Sequence, residues 1–467
     1  MIFSSIHQNN GNFFCRKEKK CQHNLRKMAK LAWSLLCETC AKLVEFFRNI
    51  VTNPDFLIKH RLSDKNFTRN RKLPFARVIY FLVALPTGSC QKELDGFFKT
   101  VNGLDIALSF VTKMAWCKAR MKMAYSALID LNNRMVKYFY AHFAANTWQG
   151  FFLKVIDGTT LRLPEIDAIV EHFDPRTPKN RGKCPLARVS QLYDPLNRIS
   201  CDAIIAPVSQ GERDLAVMHF SKLTAGDLVL LDRGYACLWL FDLILSLGAD
   251  FCARMPANWK CVQQFLKSSK TEQIIRLPLA PVGKTRCRRQ GIHIGSFALR
   301  LIRIELVSGQ TEVLLTSLSD TKCYPHEIFG ELYHQRWFVE EDFKTCKCWI
   351  ELENFTGKSV LSVQQDFHAR ILSKNLTSML SFQARETIAN TPASGKQPRQ
   401  INFSHCLSVM KSAIPLLLTR PVDTLAVLLQ ALSALFLKST EPVRPGRSYP
   451  RKPKRTNDFY PCYKGIG

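Results

Sequence analysis

Three carboxylates have the residue types and settings for phosphodiester chemistry: Asp157, Asp232 and Glu340. Asp157 follows the apolar run Phe152-Leu-Lys-Val-Ile156, and Asp232 follows Asp227-Leu-Val-Leu-Leu231. The spacing therefore predicts two strands, each ending in an acid. Glu340 falls in a stretch with helical patterning that opens near Pro325 and runs towards Lys347. At about 100° per residue, Tyr333, Glu340 and Lys347 all fall within roughly 60° of Arg336 on that helix. A phenol, a guanidinium, a carboxylate and an ammonium on one face make a poor core stripe. They suit a phosphodiester backbone held beside a metal.

Breaking a phosphodiester at neutral pH needs an activated oxygen nucleophile and a stabilised leaving oxygen, and two magnesium ions roughly 4 Å apart supply both. Magnesium takes oxygen ligands and keeps several waters, so two or three carboxylates are sufficient. Each residue also has a plainer reading. Asp157-Gly158 is a turn signal, and Arg336 and Glu340 at i,i+4 can form an ordinary helix ion pair.

The elements that must position these residues can be read from the pattern. Helical periodicity over 31–51, 75–85, around 94–99 and across 110–145 predicts an all-helical, basic N-terminal unit at 28–148 after a flexible extension at 1–27. Short β-rich runs then predict a first part of a mixed α/β core at 149–250. It contains a hairpin pairing 187–193 with 199–207, and helices at 212–223 and 237–247. Strands at 251–318 predict a β-rich insertion, with a basic loop at Lys284–Arg289. The second part of the core is expected at 319–390, and a helical region with a basic tail at 391–467. Trp337 and Phe338 are expected to anchor the Glu340 helix against the sheet, with His334 and Glu341 turned away from its working face.

Composition points to a polyanionic partner, either nucleic acid or an anionic membrane surface, with mere solubility as the plainer reading. The chain has 467 residues, 66 Lys+Arg against 38 Asp+Glu, a formal net charge of +28 and a pI near 9.6. Hydrophobic residues make up 46%, which excludes a disordered or collagen-like chain. The basic excess concentrates at the ends, with 15 Lys/Arg against 5 Asp/Glu in residues 1–75 and 8 against 2 in residues 438–467. Both ends read as phosphate-binding arms. The longest mostly apolar stretch, 425–437, is too short to span a bilayer, and the first residues lack the pattern of a secretory signal. A cytosolic, nucleoid-associated protein is expected. The 17 cysteines lack a disulfide frame, and Cys37-Glu-Thr-Cys40 has no second ligand pair at zinc spacing.

The helix reads Tyr333-x2-Arg336-x3-Glu340-x6-Lys347. With Val155-Ile-Asp157-Gly-Thr-Thr160 and Leu231-Asp232-Arg-Gly-Tyr235 in order before it, the chain resembles the DDE transposases of the bacterial insertion-sequence-four family. The resemblance spans residues 56–385. It implies an RNase H-like mixed-sheet core interrupted by the β-rich insertion, and metal ligation by Asp157, Asp232 and Glu340 with Mg2+, Mn2+ substituting. It further implies DNA contacts from Tyr333, Arg336 and Lys347, with Arg233 as a variant position. Trp259 is the nearest residue to an insertion-domain Trp that some relatives hold against a flipped base, and packing is its plainer role. The expected activity is cut-and-paste transposition: binding of terminal inverted repeats in double-stranded DNA, cleavage at the element ends and joining of 3′ ends to target DNA by a homodimer. Two rivals use the same residues: an RNase H-like nuclease or junction resolvase without strand transfer, and a catalytically silent DNA-binding derivative.

Overall fold

The computed structural model describes residues 38–69, 71–177, 184–277, 298–306, 309–391 and 397–443. The N-terminal extension, the Lys284–Arg289 loop and most of the basic C-terminal tail lie outside them. The fold is mixed α/β, as the sequence predicts, with an eight-stranded sheet at its centre. The strands are β1 (Phe152–Arg162), β2 (Leu186–Asp194), β3 (Ile199–Pro207), β4 (Asp227–Leu231), β5 (Asp250–Arg254), β6 (Glu272–Arg276), β7 (Ala298–Glu305) and β8 (Thr311–Thr316). Their spatial order is β3-β2-β1-β4-β5-β8-β7-β6. β1, β2 and β3 pair antiparallel, β4 and β5 run parallel to β1, and β8, β7 and β6 continue antiparallel.

β4 reads as a nearly continuous apolar run, the pattern of a parallel strand covered on both faces. β4 is buried along its whole length. The strands after residue 270 do not form a separate sheet, since β8 hydrogen-bonds directly to β5 and carries the sheet outward.

β1 is longer than the sequence suggests. The pattern Ile156-Asp157-Gly158 predicts that the strand ends at the acid, but pairing with β2 continues from Val155↔Tyr193 to Arg162↔Leu186. Asp157 therefore stands within a strand rather than at its end. Backbone hydrogen bonds to β2 override the turn preference of Asp-Gly.

The sheet is covered by one long helix, Val360–Leu380, buried from Ser362 to its end. It packs against the N-terminal helices Phe75–Val83 and Ser126–His142 and against β3. The N-terminal helices and the sheet thus share one continuous hydrophobic core. Polar ties reinforce the join. Arg120, 2% exposed, ion-pairs with Asp366 at 2.8 Å and donates to Gln365, Thr356 and the Ser362 carbonyl.

The helical patterning across 110–145, and likewise that over 360–385, predicts a single helix in each case, and both are broken. Residues 110–145 form Lys113–Arg120 and Ser126–His142, separated where Met123 pairs with Arg61 as an isolated β-bridge. Residues 360–385 break at Ser381, between Val360–Leu380 and Phe382–Ala389. Helices Phe403–Thr419 and Val422–Lys438 complete the described chain. No helix among the described residues is long and apolar enough to cross a membrane.

Candidate active site

Strand register brings the two aspartates together. The last paired positions of β1 and β4 are Ile156↔Leu231, and those of β4 and β5 are Leu231↔Ala253. Asp157, Asp232 and Arg254 are each the next residue. Three neighbouring parallel strands thus place two carboxylates and one guanidinium in a row where their mutual pairing ends, at the C-terminal ends of β4 and β5 and midway along β1. Residues in register on adjacent strands project to the same side of a sheet. Arg254 Nε lies 3.4 Å from Asp232 Oδ1, and the same guanidinium pairs with Glu312 of β8. Arg254 is not legible as a site residue from the sequence. Its only signal is a charge closing the short run Phe251-Cys-Ala253.

Glu340 comes from above. The helical run that carries it begins as Ile328–His334, tightens to a 3₁₀ turn at Gln335–Trp337, continues as Phe338–Lys344 and widens to a π turn at Thr345–Trp349. The segment Phe338–Lys344 packs on β1. π turns inside helices are rare and concentrate at functional sites.

The four signature residues point at the sheet. Tyr333 is buried, and its hydroxyl donates to the Leu231 carbonyl at 3.3 Å, beside Asp232. Arg336 donates to Glu340 at 2.9 Å and reaches Asp157 at 3.9 Å. The ordinary i,i+4 helix ion pair is therefore present, and it extends to the first acid. Lys347 Nζ donates to Thr159 Oγ1 at 2.8 Å and to the Thr160 carbonyl at 2.7 Å, tying the end of the run to β1.

The electrostatics follow from this crowding. Burial pushes the Asp157 carboxyl up to about 6, and the neighbouring charges of Glu340 and Asp232 add to that rise. The Gly158 N–H, which donates to Asp157 Oδ1 at 2.8 Å, and Arg336 oppose it. Arg336 is held above the ordinary guanidinium range because Tyr333, Glu340 and Asp232 outweigh its own desolvation. Asp232 Oδ1 is buried and accepts no hydrogen bond in the described structure.

A second, buried network holds the Glu340 helix in place. Asp342, two residues after Glu340, accepts from Gln191 at 2.8 Å and ion-pairs with Lys374, which is fully buried and also donates to Ser200 at 2.6 Å. Gln191 is the register partner of Asp157 on β2. The carboxylate-bearing helix is thus bonded to the strand next to Asp157. Asp342 and Lys374 escape a sequence reading because the contact joins residues 32 apart through tertiary packing.

The remaining expected residues fall elsewhere. Arg233 is exposed at the start of the 3₁₀ turn Arg233–Tyr235 directly after Asp232. Trp259 precedes the helix Lys260–Lys267 and packs against the core. His334 and Glu341 are exposed, as expected. Trp337 and Phe338 do not anchor the helix: they are 42% and 37% exposed. The helix is held instead by buried Val339 and Phe343 and by the Asp342 network.

The chain is similar to known transposases. Residues 153–376 match the model of the transposase DDE domain. The chain is 23% identical over 402 residues to the transposase InsG for insertion sequence element IS4 of Escherichia coli strain K12, covering 84% of this chain and 88% of that protein. It is also similar to the piggyBac transposase of a synaptic complex with hairpin DNA, at a TM-score of 0.43 and 13% identity, covering 88% of this chain and 87% of that one. Residues 153–376 are thus a transposase DDE domain, and the chain is a DDE-type DNA transposase similar over most of its length to the transposase of insertion sequence IS4.

Proposed function

We propose that this transposase binds the terminal inverted repeats of its element in double-stranded DNA, cleaves there, and transfers the 3′ ends to target DNA by a cut-and-paste route. The carrying observation is the register of β1 and β4, which sets Asp157 and Asp232 side by side, with Glu340 joined to Asp157 through Arg336. We read the order β3-β2-β1-β4-β5, with three antiparallel strands followed by two parallel ones, as an RNase H-like core.

A divalent metal fits the donor set. Among the described residues no three His, Cys, Asp or Glu side chains converge closely enough to hold an ion as they stand. Their chemistry nonetheless suits one: burial, with Glu340 and Asp232 adding to it, raises the Asp157 carboxyl, and the buried Asp232 Oδ1 accepts no hydrogen bond, with Arg254 facing it at 3.4 Å. Asp157, Asp232 and Glu340 would hold Mg2+, with Mn2+ as a substitute, since all three offer hard oxygen donors. When bound, such ions activate the attacking oxygen and stabilise the leaving one.

The protein's own residues do the positioning. Arg336 keeps the Glu340 and Asp157 carboxylates within reach of each other and brings positive charge to the phosphate. Tyr333 fixes the strand end that bears Asp232. Lys347 and Thr159 offer donors to the DNA backbone on the β1 side, and exposed Arg233 does so on the β4 side. Two ends must be joined in one event, so the working form is a homodimer, with the C-terminal helices supplying contacts between subunits. The exposed Val422, Val427 and Leu435 on Val422–Lys438 suit that role. The site of action is the bacterial nucleoid.

The test is strand cleavage and joining on DNA carrying the element's flanking repeats. Asp157→Ala, Asp232→Ala and Glu340→Ala should abolish product while end binding persists. Undiminished cleavage by any of the three would overturn the assignment.

A further inference from the structure

A second concave feature lies away from the carboxylates, among the N-terminal helices. It is a cavity of about 830 Å³ between the loop that follows Pro54–His60 and the helix Lys113–Arg120. Its lining includes Lys65, Arg69, Arg71, Lys72, Lys118 and Lys122. The one acid in the lining, Asp64, is paired with Arg61 at 2.9 Å. Among the described residues no carboxylate ion-pairs with any of the six cations. Such a ring of like charge calls for an anion.

The walls between these cations are apolar and aromatic. Phe67 and Phe110 line the cavity together with Val111 and Ala115. Lys72 donates to the Phe110 carbonyl at 3.2 Å, and its ammonium lies 5.8 Å from the centre of that ring. Phe67 adopts φ +59°, a left-handed conformation that a bulky residue seldom takes, with its ring edge-on to Phe75. Backbone strain of this kind persists where the surrounding structure holds it, and it clusters at ligand clamps and active sites.

The combination selects among anions. A stacked duplex presents a ridge of phosphates that would satisfy the cations yet leave the aromatic walls unfilled. An unstacked nucleotide offers both parts, a phosphate for the rim and a flat π-face for the rings, and aromatic stacking beside a basic track is the usual means of holding single strands. We propose that this cavity captures an unstacked nucleotide of DNA, its base against Phe67 and Phe110 and its flanking phosphates on the Lys/Arg rim. The inference rests on the reading that the chain works on DNA, and it adds a binding site separate from the carboxylates.

The experiment uses the full chain, a fluorescent oligothymidylate and a duplex of equal length, with anisotropy followed across a salt series. Phe110→Leu should weaken oligothymidylate binding about tenfold, the loss expected for one stacked base, and leave duplex affinity unchanged. Lys118→Glu, at an exposed position where folding is not at stake, should weaken oligothymidylate binding and flatten its salt dependence. Unchanged oligothymidylate affinity in either variant would overturn the proposal, as would an equal loss for both DNAs in Phe110→Leu. If the wild-type chain cleaves element ends but does not bind the oligothymidylate, the cavity proposal fails alone. If it neither cleaves nor binds any DNA, the proposed function fails with it.

Discussion

Arg336 donates to Glu340 at 2.9 Å across one turn of helix and approaches Asp157 on β1 at 3.9 Å, so a single guanidinium couples the helix acid to the strand acid. Arg336→Ala leaves two crowded carboxylates without their shared cation. Cleavage should fall by about a hundredfold, since a charged hydrogen bond contributes about 1.5–3 kcal/mol. Arg336→Lys should recover little, because an ammonium is a point charge without the planar fork that reaches two carboxylates. Cleavage rates at saturating DNA check both.

If Asp157 holds the metal as proposed, its carboxyl, pushed up to about 6, should set a lower pH limit on cleavage. A protonated acid cannot ligate a metal, so protons and metal compete for it. Cleavage should decline as pH falls through about 6 at low metal concentration, and raising the metal should move the decline to lower pH. A pH profile at two magnesium concentrations reads this directly.

Lys374 and Asp342 form a buried ion pair beneath the Glu340 helix, with neither side chain more than 4% exposed. Removing one partner leaves an uncompensated buried charge, so Lys374→Met should cost about 3–5 kcal/mol of stability. The double change Lys374→Met with Asp342→Leu should recover most of that stability. Cleavage should stay impaired in the double variant, because the tie from Asp342 to Gln191 beside Asp157 is lost. Denaturant melts and cleavage rates together separate the two effects.

Asp242, on the helix Leu238–Ser246, is 7% exposed, and its Oδ2 has no hydrogen-bond partner. Burial alone pushes its carboxyl up to about 6. The folded state therefore binds this proton more tightly than the unfolded chain. Stability is fully present below the unfolded value of 3.8 and is lost as pH rises towards about 6. Asp242→Asn should raise stability above pH 6 by on the order of 1–2 kcal/mol, with no gain near pH 3. Melting temperatures at the two pH values check the sign.

Gly158 leaves little room for a larger residue. A Cβ there would meet the Val189 carbonyl oxygen at 3.3 Å and the Tyr235 hydroxyl at 3.5 Å. Gly158→Ala should push β1 away from β2 next to Asp157, lowering cleavage more than stability. Comparing its melting temperature with its cleavage rate tests this.

Much of the site is legible in the residues alone. The two acids stand out because each follows a mostly apolar run, so a carboxylate directly after Ile156 or Leu231 marks where the run stops. The helix signature is legible because 3.6-residue periodicity gathers Tyr333, Arg336, Glu340 and Lys347 on one side. The same local logic misplaces Trp337 and Phe338, since a large aromatic beside a working face reads as an anchor, yet Val339 and Phe343 fill the available core.

The amino-acid sequence pointed to the three candidate carboxylates, to the transposase resemblance and to most strand and helix segments, because residue type, period and spacing are local quantities. Only the tertiary structure decided that Asp157 and Asp232 are neighbours in register and that Arg254 joins their row. It also decided that Asp342, Gln191 and Lys374 hold the Glu340 helix, and that the N-terminal helices share the core of the sheet. The reason is that pairing register and buried ion pairs depend on which distant segments meet in space, and no local periodicity encodes that meeting.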